Sequence, residues 1–124
     1  MKWRIDSNSP IYRQLMEYIV IHIVSGRYVP GERLPSVRDL AEIAAVNPNT
    51  MQKALTELEK EGLVYSQRTT GRFVTQDKEL IQKKKKNIAL HEIDTFLTKM
   101  ESMGFSRNEI RQLIREAQEE TSSE

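Results

Sequence analysis

Residues 36–62 read SVRDLAEIAAVNPNTMQKALTELEKEG, and the fold turns on them. Ser36 with Asp39 three residues on is a capping box that opens a short helix, with Leu40, Ile43 and Ala44 as its inner face. That helix ends near Ala45. After Val46, Asn47-Pro48 starts another, asparagine as N-cap and proline in the first turn. It runs to about Glu61, where Gly62 closes it, and Met51, Ala54, Leu55 and Leu58 form its buried stripe. Two helices joined by so short a break, the second long and entered through a polar cap, read as a helix-turn-helix.

Working outward, Leu63-Val64-Tyr65 and Phe73-Val74-Thr75 read as two strands around a Gly-containing loop, where a wing belongs. Upstream, Ser9-Pro10 reads as a helix start, serine as N-cap and proline at the first helical position. Ile11, Leu15, Tyr18, Ile19 and Ile23 follow as a buried stripe, and Gly26 ends that helix. Tyr28 to Leu34, with Pro30-Gly31, reads as a turn, and Trp3-Arg4-Ile5 as a short strand. From Asp77 the pattern is helical only. Ile81, Ile88, Ile93, Phe96, Leu97 and Met100 line one side of a long helix that stops at Gly104. Ser106 with Glu109 opens a last helix with Ile110, Leu113 and Ile114 inside. The expected fold is mainly α with a small β-hairpin. It has a winged helix-turn-helix over 1–76, a two-helix dimerisation tail over 77–120 and a disordered end over 121–124.

Bulk properties narrow the function. The 124 residues hold no cysteine, which excludes a disulfide framework, a thiolate zinc site and cysteine catalysis. The basic start, Met1-Lys2-Trp3-Arg4, leads into no apolar core of signal-peptide length, and Tyr18 to Val24 is too short to span a bilayer. A cytoplasmic protein with no membrane role is expected. The net charge is only +1, so any positive field must come from where charges sit. His22 and His91 are the only histidines, and no carboxylate pair, nucleophile motif or phosphate-binding glycine loop accompanies them. Neither an enzyme nor a metal or cofactor site is indicated.

The third helix carries the functional signal. With Met51, Leu55 and Leu58 turned inward, Asn49, Gln52, Lys53 and Thr56 face out. Asparagine and glutamine pair bidentately with adenine in the major groove, and lysine contacts guanine or phosphate. Nothing acidic occurs from Asn47 to Thr56, while Glu57, Glu59 and Glu61 crowd the far end, so the N-terminal half is the half to dock on DNA. Ser36 and Arg38 begin the preceding helix, where Arg38 either reaches a DNA backbone or pairs with Asp39 or Glu42. Arg68, Gly71 and Arg72 surround the hairpin tip, placing arginine at a minor groove. Lys83-Lys84-Lys85-Lys86 on the long helix is either a solvated face or a flank touching phosphates.

These pieces, in this order, resemble the GntR regulators, most closely their short YtrA-type subgroup. The resemblance runs through Pro10-Ile11-Tyr12 with Gln14, Gly26, Pro30-Gly31, Leu34-Pro35-Ser36 with Arg38, and Leu40-Ala41. It continues through Val46-Asn47-Pro48-Asn49-Thr50, Leu58-Glu59, Glu61-Gly62-Leu63-Val64, Gly71 and Phe73-Val74. It implies a winged helix-turn-helix that binds double-stranded operator DNA as a homodimer. It also implies that Arg38 contacts DNA and that Asn47, Asn49, Thr50 and Gln52 make backbone and base contacts. Two departures stand out. Pro48 replaces an arginine of many members, removing a guanine contact, and Thr69 replaces the first wing glycine, which limits how deep the wing backbone enters a minor groove. The tail is too short for the large effector domains of other branches. A small-molecule effector is compatible with the pattern but not indicated by it.

The expected function is sequence-specific regulation of transcription, as a repressor, on an inverted-repeat operator. The competing class is a protein-interaction adaptor or antitoxin-like module that uses the C-terminal helix pair.

Overall fold

A computed structural model describes residues 3–7 and 9–122, with side chains to Thr121. The elements are α1 (Ile11–Val24), α2 (Val37–Ala44), α3 (Pro48–Lys60), β1 (Val64–Gln67), β2 (Gly71–Val74), α4 (Lys78–Ser102) and α5 (Arg107–Ser122). The chain divides into two units, 1–85 and 86–124, and the division falls within α4.

The first unit is built on apolar stripes that meet. Leu15, Ile19 and Ile23 of α1, Leu40 of α2 and Met51, Leu55 and Leu58 of α3 are all essentially inaccessible, with Leu63, Val64 and Val74 of the hairpin closing the core. α3 packs against α1, α2 and β1, so the helix that carries the outward polar face is also the one best anchored. Its C-terminus is a Schellman motif: Leu63 N donates to Leu58 O at 3.2 Å and Gly62 N to Glu59 O at 3.0 Å, with Gly62 at φ 81°. That turn sends the chain straight into β1.

β1 and β2 are antiparallel, pairing Val64 with Val74, Tyr65 with Phe73, Ser66 with Arg72 and Gln67 with Gly71. The Tyr65 and Phe73 rings stack at 5.7 Å across the pair.

Four sequence expectations change. Residues 31–34 are more than a turn: they run along the outer edge of β2. Val74 N donates to Glu32 O at 2.9 Å and Leu34 N to Arg72 O at 2.8 Å. Residues 3–5 form no strand, because side chains take the place of a strand partner. The Tyr18 hydroxyl accepts from Arg4 N at 2.6 Å and donates to Arg4 O at 2.8 Å, and the Gln14 amide holds both backbone groups of Asp6 at 2.8 Å. Trp3 stacks on Tyr18 at 5.1 Å. α1 is capped by Pro10 rather than Ser9, its carbonyl accepting from Arg13 N at 3.1 Å. Ile43 is 55% exposed, because the inner face of α2 is Leu40, Ala41 and Ala44. At 3.6 residues per turn Ile43 points about 160° away from Ala41.

The second unit is two helices. α4 ends at Ser102, the chain turns through Gly104, and α5 opens with a complete capping box: Ser106 N donates to Glu109 Oε1 at 2.9 Å and Glu109 N to Ser106 Oγ at 3.2 Å. Those bonds hold the Glu109 carboxyl below its ordinary range. Ile110 is buried, but Leu90, Ile93, Phe96, Met103 and Ile114 are exposed. α5 continues to Ser122, with Thr121 Oγ1 donating to Ala117 O at 2.9 Å; residues 123 and 124, the rest of the segment expected to be disordered, lie outside the described residues.

Candidate nucleic-acid interface

Local capping sets up the helix-turn-helix. Ser36 Oγ accepts from Asp39 N at 3.1 Å, and Asn47 Oδ1 accepts from Asn49 N at 2.8 Å. Both side chains therefore serve their own helices, keeping the serine hydroxyl proton and the asparagine amide nitrogen as outward donors. The turn between α2 and α3 passes through Ala45, a non-glycine residue at φ 57°, with Val46 N donating to Ala41 O at 3.0 Å. This left-handed residue permits a break short enough to set α3 across α2.

Arg38 is exposed, and among the described residues neither Asp39 nor Glu42 pairs with it. Asn49 and Gln52 are exposed on α3 with Thr50 half-buried beside them, and no side-chain partner engages either amide among the described residues. The Lys53 ammonium lies 4.1 Å from the centre of the Tyr12 ring.

The acids at the far end of α3 are each neutralised. Glu57 pairs with Lys60 at 3.0 Å, Glu59 with Arg72 at 2.6 Å and Glu61 with Lys84 at 2.9 Å. One lysine of the 83–86 run is thus engaged with α3. Partial burial pushes the Glu59 carboxyl up, but hydrogen bonds from Ser66 and Arg72 and the Arg72 charge hold it below its ordinary value.

At the wing, Arg68 and Thr69 are exposed at the tip, and Thr69 adopts φ 65° in the place where a glycine was expected. Arg72, by contrast, faces back to α3 through Glu59. Gly71 is needed for its φ of 120°, and a Cβ there would stand 3.2 Å from Arg33 Nε, close enough to push that flexible side chain aside by a few tenths of an ångström.

That last contact exposes a residue the sequence hid. Arg33 sat in a stretch read as a turn, yet the edge pairing of 31–34 with β2 lays its guanidinium against the wing. Tyr12 and Arg13 were also overlooked. Arg13 Nε donates to Tyr12 Oη at 3.2 Å, so α1 brings a second cation to the ring that holds Lys53. The signal was the Tyr12-Arg13 pair on the outer side of the α1 stripe. No metal-holding group of His, Asp and Glu exists among the described residues, nor any helix long and apolar enough to cross a membrane.

Three helices followed by a hairpin, with a capped polar helix face beside it, define a winged helix-turn-helix, the class that sets its second motif helix in the DNA major groove. Residues 11–74, more than half of the chain, match the family described as bacterial regulatory proteins, gntR family, and the chain belongs to that family. It is 32% identical over 110 residues to the uncharacterized HTH-type transcriptional regulator YhcF of Bacillus subtilis, spanning 89% of this chain and 91% of YhcF. To the HTH-type transcriptional repressor YtrA of the same organism it is 41% identical over 71 residues, 57% of this chain and 55% of YtrA. Among solved structures, a GntR family transcriptional regulator from Listeria monocytogenes matches with a TM-score of 0.85 at 37% identity, over 90% of this chain and 98% of that one. The DNA-binding domain of AraR in complex with operator ORX1 matches with a TM-score of 0.55 at 28% identity, over 58% of this chain and 93% of that one. The protein is a GntR-family transcriptional regulator with a DNA-binding domain, not an enzyme.

Proposed function

We propose that this regulator is a cytoplasmic, sequence-specific repressor that grips an inverted-repeat operator as a homodimer, with residues 1–76 reading DNA and 77–120 joining the two copies. The observation that carries the DNA role is the α3 face. Asn49 and Gln52 stand exposed on a helix whose other side is fully buried, and every acid at its far end is paired. In this reading Asn49 and Gln52 read base edges. Arg38, Lys53 and Arg68 neutralise phosphates, and the donors left on Ser36, Asn47 and Thr50 fix the register. Gly71 lets the wing backbone approach. The exposed apolar residues of α4 and α5 support the dimer, because a second copy is the partner always present at equal concentration.

The test is an anisotropy titration against a randomised duplex pool across a salt series, followed by sequencing of the bound fraction. A steep loss of affinity with salt and an enriched inverted repeat, its half-sites about one helical turn apart, are expected. Arg38→Ala weakens all sequences alike, whereas Gln52→Ala relaxes one position by about 1–3 kcal/mol. Absence of binding at low salt, together with a stable complex with another protein, would replace this reading by that of an interaction module.

A further inference from the structure

The hairpin is fastened to the recognition helix at one point near its tip. Ser66 of β1 and Arg72 of β2 are a cross-strand pair, and both bind the same oxygen of Glu59 on α3. Ser66 Oγ donates to Glu59 Oε1, and Arg72 Nε donates to that oxygen at 2.6 Å. The Arg72 and Glu59 side chains are only 18% and 29% exposed. Below this point the hairpin base is held by burial of Val64, Val74 and Thr75. Above it, Gln67 to Gly71 are all exposed, so the clamp is the last tie between α3 and the tip.

We infer that Glu59 is a positioning residue for the wing: one carboxylate oxygen pins the Ser66–Arg72 pair to α3 and sets the angle at which the hairpin meets DNA, with Arg72 committed to that clamp rather than to a phosphate. The geometry favours this over a DNA contact by Arg72. A guanidinium already bonded to a half-buried carboxylate must leave an uncompensated charge behind if it turns to a phosphate. Freed of Arg72, Glu59 would also present an anion to the DNA backbone. The inference rests on the DNA-binding reading for its consequence, though the clamp itself is measurable without DNA.

The experiment compares wild type with Glu59→Ala, Arg72→Ala, the double variant and the milder Ser66→Ala. In the free protein, native-state trypsin cleavage of the Arg68–Thr69 bond is followed by mass spectrometry, with circular dichroism reporting the fold. Loss of a hydrogen bond to a charged group predicts about tenfold faster cleavage in each clamp variant at unchanged helicity. The double variant should be no faster than Glu59→Ala alone, since removing Glu59 already releases both Ser66 and Arg72. Operator affinity should drop by a similar factor in Glu59→Ala and Arg72→Ala. If Arg72 served DNA directly, Arg72→Ala would lose affinity while Glu59→Ala gained it, and the inference would be overturned. Unchanged cleavage in Glu59→Ala and Ser66→Ala would overturn it as well. Should Glu59→Ala fail to fold, Ser66→Ala and Arg72→Ala decide by the same readout. A wild type that binds no duplex sinks the functional reading, and the cleavage rates still decide the clamp.

Discussion

The two units use apolar residues in opposite ways. The reader unit turns its large aliphatic side chains inward: Leu15, Ile19, Leu40, Met51, Leu55 and Leu58 have no more than 1% of their surface accessible. The C-terminal pair buries Ile110 fully and leaves Ile93 at 52%, Phe96 at 42% and Ile114 at 39% exposed. A three-helix core with a hairpin lid closes on itself. Two helices cannot, because each has only one neighbour to cover its stripe. One region is thus complete as a single copy, and the other leaves apolar side chains uncovered, which in the proposed function a second copy covers.

The sharpest way to break this contrast is at Phe96. Replacing Ile93 and Phe96 together by glutamate should convert a dimer to a monomer in analytical ultracentrifugation. Losing about 2–3 kcal/mol per buried aromatic, doubled by two-fold symmetry, predicts association weakened by about a thousandfold or more. Wild type sedimenting as a monomer at micromolar concentration would remove the homodimer from the proposed function.

Next in size is the self-contained core. Leu55→Ala should cost about 2–5 kcal/mol in chemical denaturation, because rigid neighbours leave a cavity behind. Leu97→Ala in the second unit should lower monomer stability far less. Equal losses at the two positions would mean that the units differ less than their burial indicates.

The smallest effect is expected at the helix-turn-helix break. A left-handed alanine costs about 1–2 kcal/mol, and glycine in its place gives back part of that as unfolded-chain entropy. Ala45→Gly should therefore stabilise the reader by about 0.5–1 kcal/mol, read as a thermal midpoint higher by several degrees. A lower midpoint would show that Ala45 packs for more than its backbone strain costs.

Much of this was legible along the chain. The caps at Ser36, Asn47 and Ser106 form because a serine or asparagine oxygen accepts from the backbone N–H two or three residues on, a local event. The stripe of α3 was legible because helical period alone puts Met51, Ala54, Leu55 and Leu58 on one side. Ile43 was misread because an alanine, not an isoleucine, fills the tight inner angle of α2, and hydrophobicity does not reveal how closely two helices approach. The tail stripe was read as continuous from Ile81. In the structure Ile81 is buried in the reader unit, while Leu90 and Met103 add to the exposed set.

What the sequence by itself determined is the order of elements, their caps and the polar face of α3, all of which follow from interactions between residues a few positions apart. Only the tertiary structure decided the edge pairing of residues 31–34 with β2, the Tyr18 and Gln14 grip on residues 4–6, and the Glu59–Ser66–Arg72 clamp. Each of these spans 7 to about 40 positions. Backbone groups and charges removed from water must find partners wherever packing brings them, and no local pattern records that meeting.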